Sequence, residues 1–195
     1  MTRVLLATRN QGKVAELSRI LAPFGLVLEG ASYDPGPETG ASFAQNALAK
    51  AREGVAVSGL PSVADDSGLT VDALNGMPGI LSARWAGAHG DDLANLQLVL
   101  DQLADVPVAR RGAAFVCAAA YALPDGRAEV ALGELRGALL FSPRGTNGFG
   151  YDPIFVPVGF SVTSAELSPE DKDAISHRGQ AFRALAPLLA AALQS

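Results

Sequence analysis

A chain of 195 residues, 49% of them hydrophobic and 18% charged, holds enough apolar material for one large domain or two joined lobes, which excludes a disordered protein. The net charge of −5 argues against nucleic acid as the main partner, because a phosphate backbone demands a basic surface, but leaves room for a small anion in a local basic pocket. A single cysteine excludes an internal disulfide, and with only two histidines there is no zinc-type ligand set, so any metal here must be a hard ion held by oxygen.

In chain order, "RVLLAT" (3–8) predicts a short buried strand, broken by "RNQG". Val14, Leu17, Ile20, Leu21 and Phe24 then recur at helical spacing from Lys13, and Gly25 stops the helix. "LVLE" (26–29) is a second strand, so the chain opens β-loop-α-β, an α/β signature. A loop dense in Gly and Pro (30–41) follows. Ser42 and Gln45 then form a capping box for a helix running to about Val57. "PSVA" (61–64) and "LTVDAL" (69–74) predict two strands on either side of "DDSG", and "NGMPG" is a turn. Asp91 or Asp92 can cap a helix whose inner face is Leu93, Leu96, Val99, Leu100 and Leu103. "AAFVCAAAYAL", the turn "PDG" and "RAEVALGELRG" form the clearest hairpin, in which Cys117 reads as a buried structural thiol. The loop "SPRGTNGFGYDP" (142–153) precedes a strand at "IFV". Ser168-Pro169 starts a helix, and a last helix from near Ser176 meets Pro187, which should kink or split it. The N-terminal apolar run is too short for a signal peptide and no stretch is long enough to span a membrane, so a cytoplasmic location is expected.

Four stretches could carry chemistry. "ATRNQGKVAEL" is not a P-loop, since Ala7 stands five residues before Gly12 and Val14 follows Lys13. Its physics is similar all the same: free N–H groups at a helix start, the helix dipole and an ammonium favour an anion, with Thr8 and Asn10 as further donors. Taken alone, it reads more simply as an ordinary strand–helix turn with a solvated lysine. Glu38, Asp65 and Asp66 could converge on one cation if the second helix packs on the sheet; the plainer readings are a solvated loop acid and a turn cap. Phe149 and Tyr151 amid glycines could stack on a flat ring, or be two core aromatics in a turn. Lys172, His177 and Arg178 gather near a helix start, which a solvated charged face would also explain.

Together and in this order the stretches resemble one family: "T-x-N-x-G-K", "E-T-G-x-S-F-x-x-N-A-x-x-K-A", "A-D-D-S-G-L", "P-G-I-x-S-A-R", "G-F-G-Y-D-P-I-F" and "K-x-x-I-S-H-R-G-x-A". The chain resembles the inosine triphosphate pyrophosphatases, which hydrolyse dITP, ITP and XTP, and the motifs cover nearly its whole length. Arg9 stands where a small residue is common, Gln45 where Glu is frequent and Asn147 where Gly is frequent; these departures bear on fine substrate preference rather than on activity.

The resemblance implies an α/β fold with a mixed, elongated central sheet and two α/β lobes flanking a substrate cleft. It also implies one pyrophosphatase domain over 1–195, a homodimer and a Mg²⁺ cofactor. Thr8, Arg9, Asn10, Gln11, Gly12 and Lys13 would line the triphosphate. Glu38 and Asp66 would hold Mg²⁺, and Asp66 would also activate the water, with Asp65 the structural member of the pair. Ser67 would touch substrate. Phe149, Gly150, Tyr151, Asp152, Lys172, His177 and Arg178 would hold base and phosphates, with backbone N–H groups, His177 or Arg178 aimed at O6 of the base. Two rivals are a pyrophosphatase for modified pyrimidine triphosphates and a nucleotide-binding regulator without turnover.

Overall fold

The structure, a computed structural model, describes residues 3–8, 11–33 and 36–194, without the side chains of residues 11, 12 and 15. Among the described residues six strands and five α-helices follow one another, alternating only as far as β4: β1 (Arg3–Leu6), α1 (Gln11–Leu21), β2 (Val27–Gly30), α2 (Phe43–Ser58), β3 (Ser62–Val71), α3 (Asp92–Gln102), β4 (Gly112–Ala122), β5 (Ala128–Leu139), β6 (Phe155–Pro157), α4 (Pro169–Ile175) and α5 (His177–Ala192). The strands form one sheet in the order β2-β1-β3-β4-β5-β6. β1 pairs in parallel with both β2 and β3, whereas β5 and β6 are antiparallel, so the sheet is mixed and the fold α/β as expected. No helix among the described residues is long and apolar enough to cross a membrane.

The chain divides into two compact units. One comprises Met1–Asp66, Cys117–Gly133 and His177–Ser195, the other Ser67–Val116 and Glu134–Ser176. In the first, β-strand alternation builds two separate apolar layers. Val63 of β3 with Cys117, Ala119 and Tyr121 of β4 packs against Leu17, Ile20 and Leu21 of α1 and Phe182, Leu185 and Leu189 of α5. Ala64 of β3 with Ala118, Ala120 and Ala122 of β4 meets Ala7 and, on α2, Ala47 and Ala51. The fully buried residues of this second layer are all alanine, with larger side chains such as Phe43, Leu48 and Val130 partly buried at its margin. At Gly54, one turn further along α2, a β-carbon would stand 2.2 Å from Ser62 Oγ, so helix and sheet approach closely there. In the second unit Leu69 and Val71 of β3, Phe115 of β4, Ile154 and Phe155 pack against Leu96, Val99, Leu100 and Leu103 of α3.

Most predicted elements are present and three differ. Ser62–Val71 is one continuous strand through "ADDSG", where the sequence suggests two strands around a turn. Gly68 lies inside it because the neighbouring segment comes close. A β-carbon there would be 2.3 Å from Ser82 Oγ and 2.5 Å from the Gly79 carbonyl oxygen. Gly68→Ala is therefore expected to destabilise the protein by about 1–3 kcal/mol, the range for overpacking, as a loss of chemical-denaturation midpoint at unchanged slope. Leu93 is 76% exposed rather than part of the inner face, because the core of that unit stops at Leu96 and the first turn of α3 lies beyond it. Of the two outcomes expected at Pro187, the split does not occur: the proline sits inside a single α5. The capping box at α2 is present in part. Ser42 Oγ accepts from Gln45 N–H at 3.2 Å, and the Gln45 amide oxygen accepts from Ala41 N–H at 2.8 Å.

Candidate active site

The two adjacent carboxylates of β3 lie on opposite faces of the sheet, because a strand alternates its side chains. Asp65 follows Val63 toward the α1 and α5 side, where Lys13 Nζ reaches Asp65 Oδ2 at 2.9 Å and Arg178 Nε reaches the same oxygen at 3.1 Å. Burial pushes the Asp65 carboxyl up, but Lys13, Arg178 and Lys50 more than offset this and hold it well below the usual carboxylate range. Beside it the Cys117 thiol is fully buried and pushed up in pKa by burial and by the Asp65 charge, so it is an inert core thiol as the sequence suggests.

Asp66 follows Ala64 toward α2. Asn46 and Lys50 stand four residues apart on that helix, hence on one face. The Asn46 side-chain N–H donates to Asp66 Oδ2 at 2.8 Å, while Asn46 Oδ1 accepts from Gly40 N–H at 2.7 Å, so one amide ties the loop bearing Glu38 to the strand bearing Asp66. Lys50 Nζ lies 2.6 Å from Glu38 Oε1 and 3.9 Å from Asp66 Oδ1. A pocket runs along this helix face, its lining including Pro37, Glu38, Thr39, Gly40, Asn46 and Lys50. Burial pushes the Asp66 carboxyl above its ordinary value; Lys50 opposes this, and the neighbouring Glu38 charge adds to it.

The β1 exit loop is brought beside this pair by register: Ala7 N–H donates to the Val63 carbonyl at 2.8 Å, two residues before Asp65. Thr8 follows directly, half-buried, its N–H turned back to the Leu6 carbonyl at 2.9 Å. Arg9 and Asn10 lie outside the described residues, and Gln11 and Gly12 are placed by their backbone only, in the first turn of α1. His177 opens α5, 6% exposed, and its carbonyl packs against β5 at Gly133, where a β-carbon would stand 2.1 Å away.

The second unit gathers the aromatic loop. Asp152 Oδ2 accepts from Phe149 N–H at 2.8 Å and from Lys172 Nζ at 2.5 Å, and that ammonium stands 5.0 Å from the Phe149 ring centroid. Gly150 N–H donates to Asp92 Oδ2 at 2.8 Å, and Tyr151 O–H donates to the Ser82 carbonyl at 2.8 Å. Ser67 is half-buried at the start of this unit's part of β3.

Lys13, Glu38, Asp65, Asp66 and Arg178 thus gather in the first unit, and Phe149, Gly150, Tyr151, Asp152 and Lys172 in the second. A model of the Ham1 family matches residues 4–188. The chain belongs to the Ham1 family. Among its relatives there is a dITP/XTP pyrophosphatase of Streptomyces avermitilis, 58% identical over an alignment that covers 97% of this chain and 98% of that protein. The crystal structure of a nucleoside-triphosphatase, or dITP/XTP pyrophosphatase, from Mycobacterium abscessus is 59% identical, with a TM-score of 0.76 over 96% of this chain and 98% of that one. A HAM1 protein of Coxiella burnetii superposes with a TM-score of 0.88 at 39% identity, over 97% of this chain and 99% of that one.

Lys50 and Asn46 contact Glu38, Gly40 and Asp66 directly, yet the sequence reading gave them no role. Both stand in the quoted "N-A-x-x-K-A", and the signal was their spacing. With Ala47 and Ala51 buried, positions 46 and 50 flank the inner face of a helix capped at Ser42.

Proposed function

We propose that this chain is a Mg²⁺-dependent pyrophosphatase that hydrolyses dITP, ITP and XTP to the monophosphate and pyrophosphate. The observation that carries this reading is Asp66: a buried carboxylate, raised in pKa, held by Asn46 and set beside an ammonium that also binds Glu38. The names of the relatives as dITP/XTP pyrophosphatases, over nearly the full chain, support the substrate class.

The donor set fits a hard cation. Glu38 and Asp66 offer oxygen only, and their mutual repulsion with burial is the kind a dication relieves. Glu38 and Asp66 would hold the ion through oxygen, in keeping with a cation shared between one or two carboxylates and a nucleotide's phosphates. The ion when bound would supply positive charge to the phosphate oxygens as the transition state forms. Asp66 accepts the proton of the water that attacks the α-phosphorus, and its raised pKa brings it nearer the working pH of a general base. Lys13 and Lys50 offer ammonium groups to phosphate charge, which would draw Lys50 from Glu38 in part. Phe149 stacks on the base, with Lys172 held at its face by Asp152. Because the Phe149 and Gly150 N–H groups are engaged by Asp152 and Asp92, reading of O6 falls to other donors, such as His177 or Arg178. We further propose that the enzyme is cytoplasmic and a homodimer; light scattering on the purified protein checks the dimer.

The test is pyrophosphate release from ITP, dITP, XTP, GTP and ATP, with and without EDTA. Hypoxanthine and xanthine present an acceptor at O6 and a donor at N1, and adenine the reverse. Each buried group left unpaired costs about 1–3 kcal/mol, so ATP is expected to fall at least tenfold below ITP in kcat/KM. GTP, which keeps O6 and N1–H, is expected to be poor through its 2-amino group, and EDTA should stop turnover. ATP equal to ITP would refute base reading, preference for a pyrimidine would favour that rival, and no pyrophosphate from any nucleotide would leave only a binding protein.

A further inference from the structure

Arg178 belongs to the stretch that the resemblance gives to substrate, yet its guanidinium is engaged with the protein. The residue is 2% exposed; Nε lies 3.1 Å from Asp65 Oδ2 and Nη1 lies 2.5 Å from Glu16 Oε2. Asp65 Oδ2 is also the oxygen that Lys13 Nζ reaches at 2.9 Å. Lys13 and Glu16 are three residues apart on α1 and so neighbours on one helix face. The chain Lys13–Asp65–Arg178–Glu16 thus leaves the first turn of α1, crosses β3 and α5, and returns to α1 one turn later.

We infer that Arg178 is a positioning residue for Lys13: it holds Asp65 with one edge and Glu16 with the other, and so fixes the first turn of α1 and the ammonium offered to the triphosphate. This rests on the proposed function for the identity of the anion. Charge and shape both support it. The four groups balance as two cations and two anions. Without the guanidinium the set would be net negative and would repel a polyphosphate approaching Lys13. A guanidinium offers donors along separate edges in a fixed plane, whereas an ammonium is a compact point charge on a flexible stem and cannot span two carboxylates in the same geometry. Arg178→Lys therefore keeps the charge and removes the bridge.

The experiment measures kcat and KM for ITP and ATP, and binding of inorganic tripolyphosphate with Mg²⁺ by calorimetry. The variants are Arg178→Lys, Lys13→Ala, their double and Glu16→Gln, all below their melting transitions. Arg178→Lys is expected to lower kcat/KM by about 10- to 100-fold, the worth of a charge-assisted contact, for ITP and ATP alike. Tripolyphosphate affinity should fall with it, and in the Lys13→Ala background the same change should cost nothing further. Glu16→Gln, which weakens the far end of the bridge at Arg178 Nη1, should give a smaller loss of the same kind, and it carries the test if Arg178→Lys does not fold. A loss confined to ITP, losses that multiply in the double variant, or unchanged tripolyphosphate binding would overturn the inference. Failure of the wild type to release pyrophosphate from ITP would instead remove the proposed function, while the tripolyphosphate arm would still decide the role of Arg178.

Discussion

Asp65→Asn is expected to unfold the protein far more readily while its neighbour tolerates the same change. Asp65 is 2% exposed and its Oδ2 faces Lys13 and Arg178. Removing one partner of a buried ion pair leaves an uncompensated charge, which costs about 3–5 kcal/mol. For a chain of this length that is a fall in Tm of about 6–20 °C, readable by calorimetry at pH 7. The pH dependence has a definite sign. Burial raises the Asp65 carboxyl but the three cations lower it by more, so its folded pKa lies below the unfolded value of about 3.9. Its contribution is complete above the unfolded pKa and is lost as the pH falls through the folded one. The acid side of the wild-type stability curve should therefore be steeper below about pH 4 than that of Asp65→Asn. Parallel curves would show that Asp65 carries no such linkage.

Asp66→Asn has the opposite signature. Turnover should fall by about 10²–10⁴-fold through loss of the general base, and further if Mg²⁺ is lost with it. Stability should not fall. Burial raises the Asp66 carboxyl and Glu38 adds to it, so the ionised form is disfavoured in the folded protein. That penalty is present above the raised folded pKa and disappears as the pH drops below the unfolded one. The amide removes the penalty while keeping the shape that Asn46 meets. In EDTA the Tm of Asp66→Asn is expected to match or exceed that of the wild type, and added Mg²⁺ should raise the wild type only. A variant that is both inactive and much less stable would mean that the two neighbours share one role.

Local chemistry made much of this legible. The Ser42 cap, the hairpin of β4 and β5, and the Gly25 stop (φ 67°) each rest on a few adjacent residues whose preferences agree. The central strand was not legible. Asp, Ser and Gly are poor strand formers and good turn formers, so "DDSG" reads as a break. Partners far away decide otherwise: Arg178 is 113 residues from Asp65, and Gly68 is glycine because of Ser82 and Gly79. The division of labour between Asp65 and Asp66 follows from the same fact, since only an unbroken strand sends adjacent side chains to opposite faces. Arg178 shows the limit of carrying roles by motif. Its place in "ISHRG" says that it matters, but only its distances to Asp65 and Glu16 say through what.

The alanine layer beneath α2 has a further consequence, for how such an enzyme can be improved. Methyl groups bury little area, so Ala47, Ala51, Ala64, Ala118 and Ala120 contribute modestly to stability, and a search for thermostable variants would single them out for enlargement. Yet this layer is the spacer that sets how far Asn46 and Lys50 stand from Asp66. One added methylene there would lift the helix and carry both side chains with it, and misplacement of about 1 Å is enough to cost a hundredfold in rate. Gains in robustness are therefore to be sought in the leucine- and phenylalanine-rich layer under α1 and α5, while the thin layer acts as a gauge that selection can hold constant only by keeping it small.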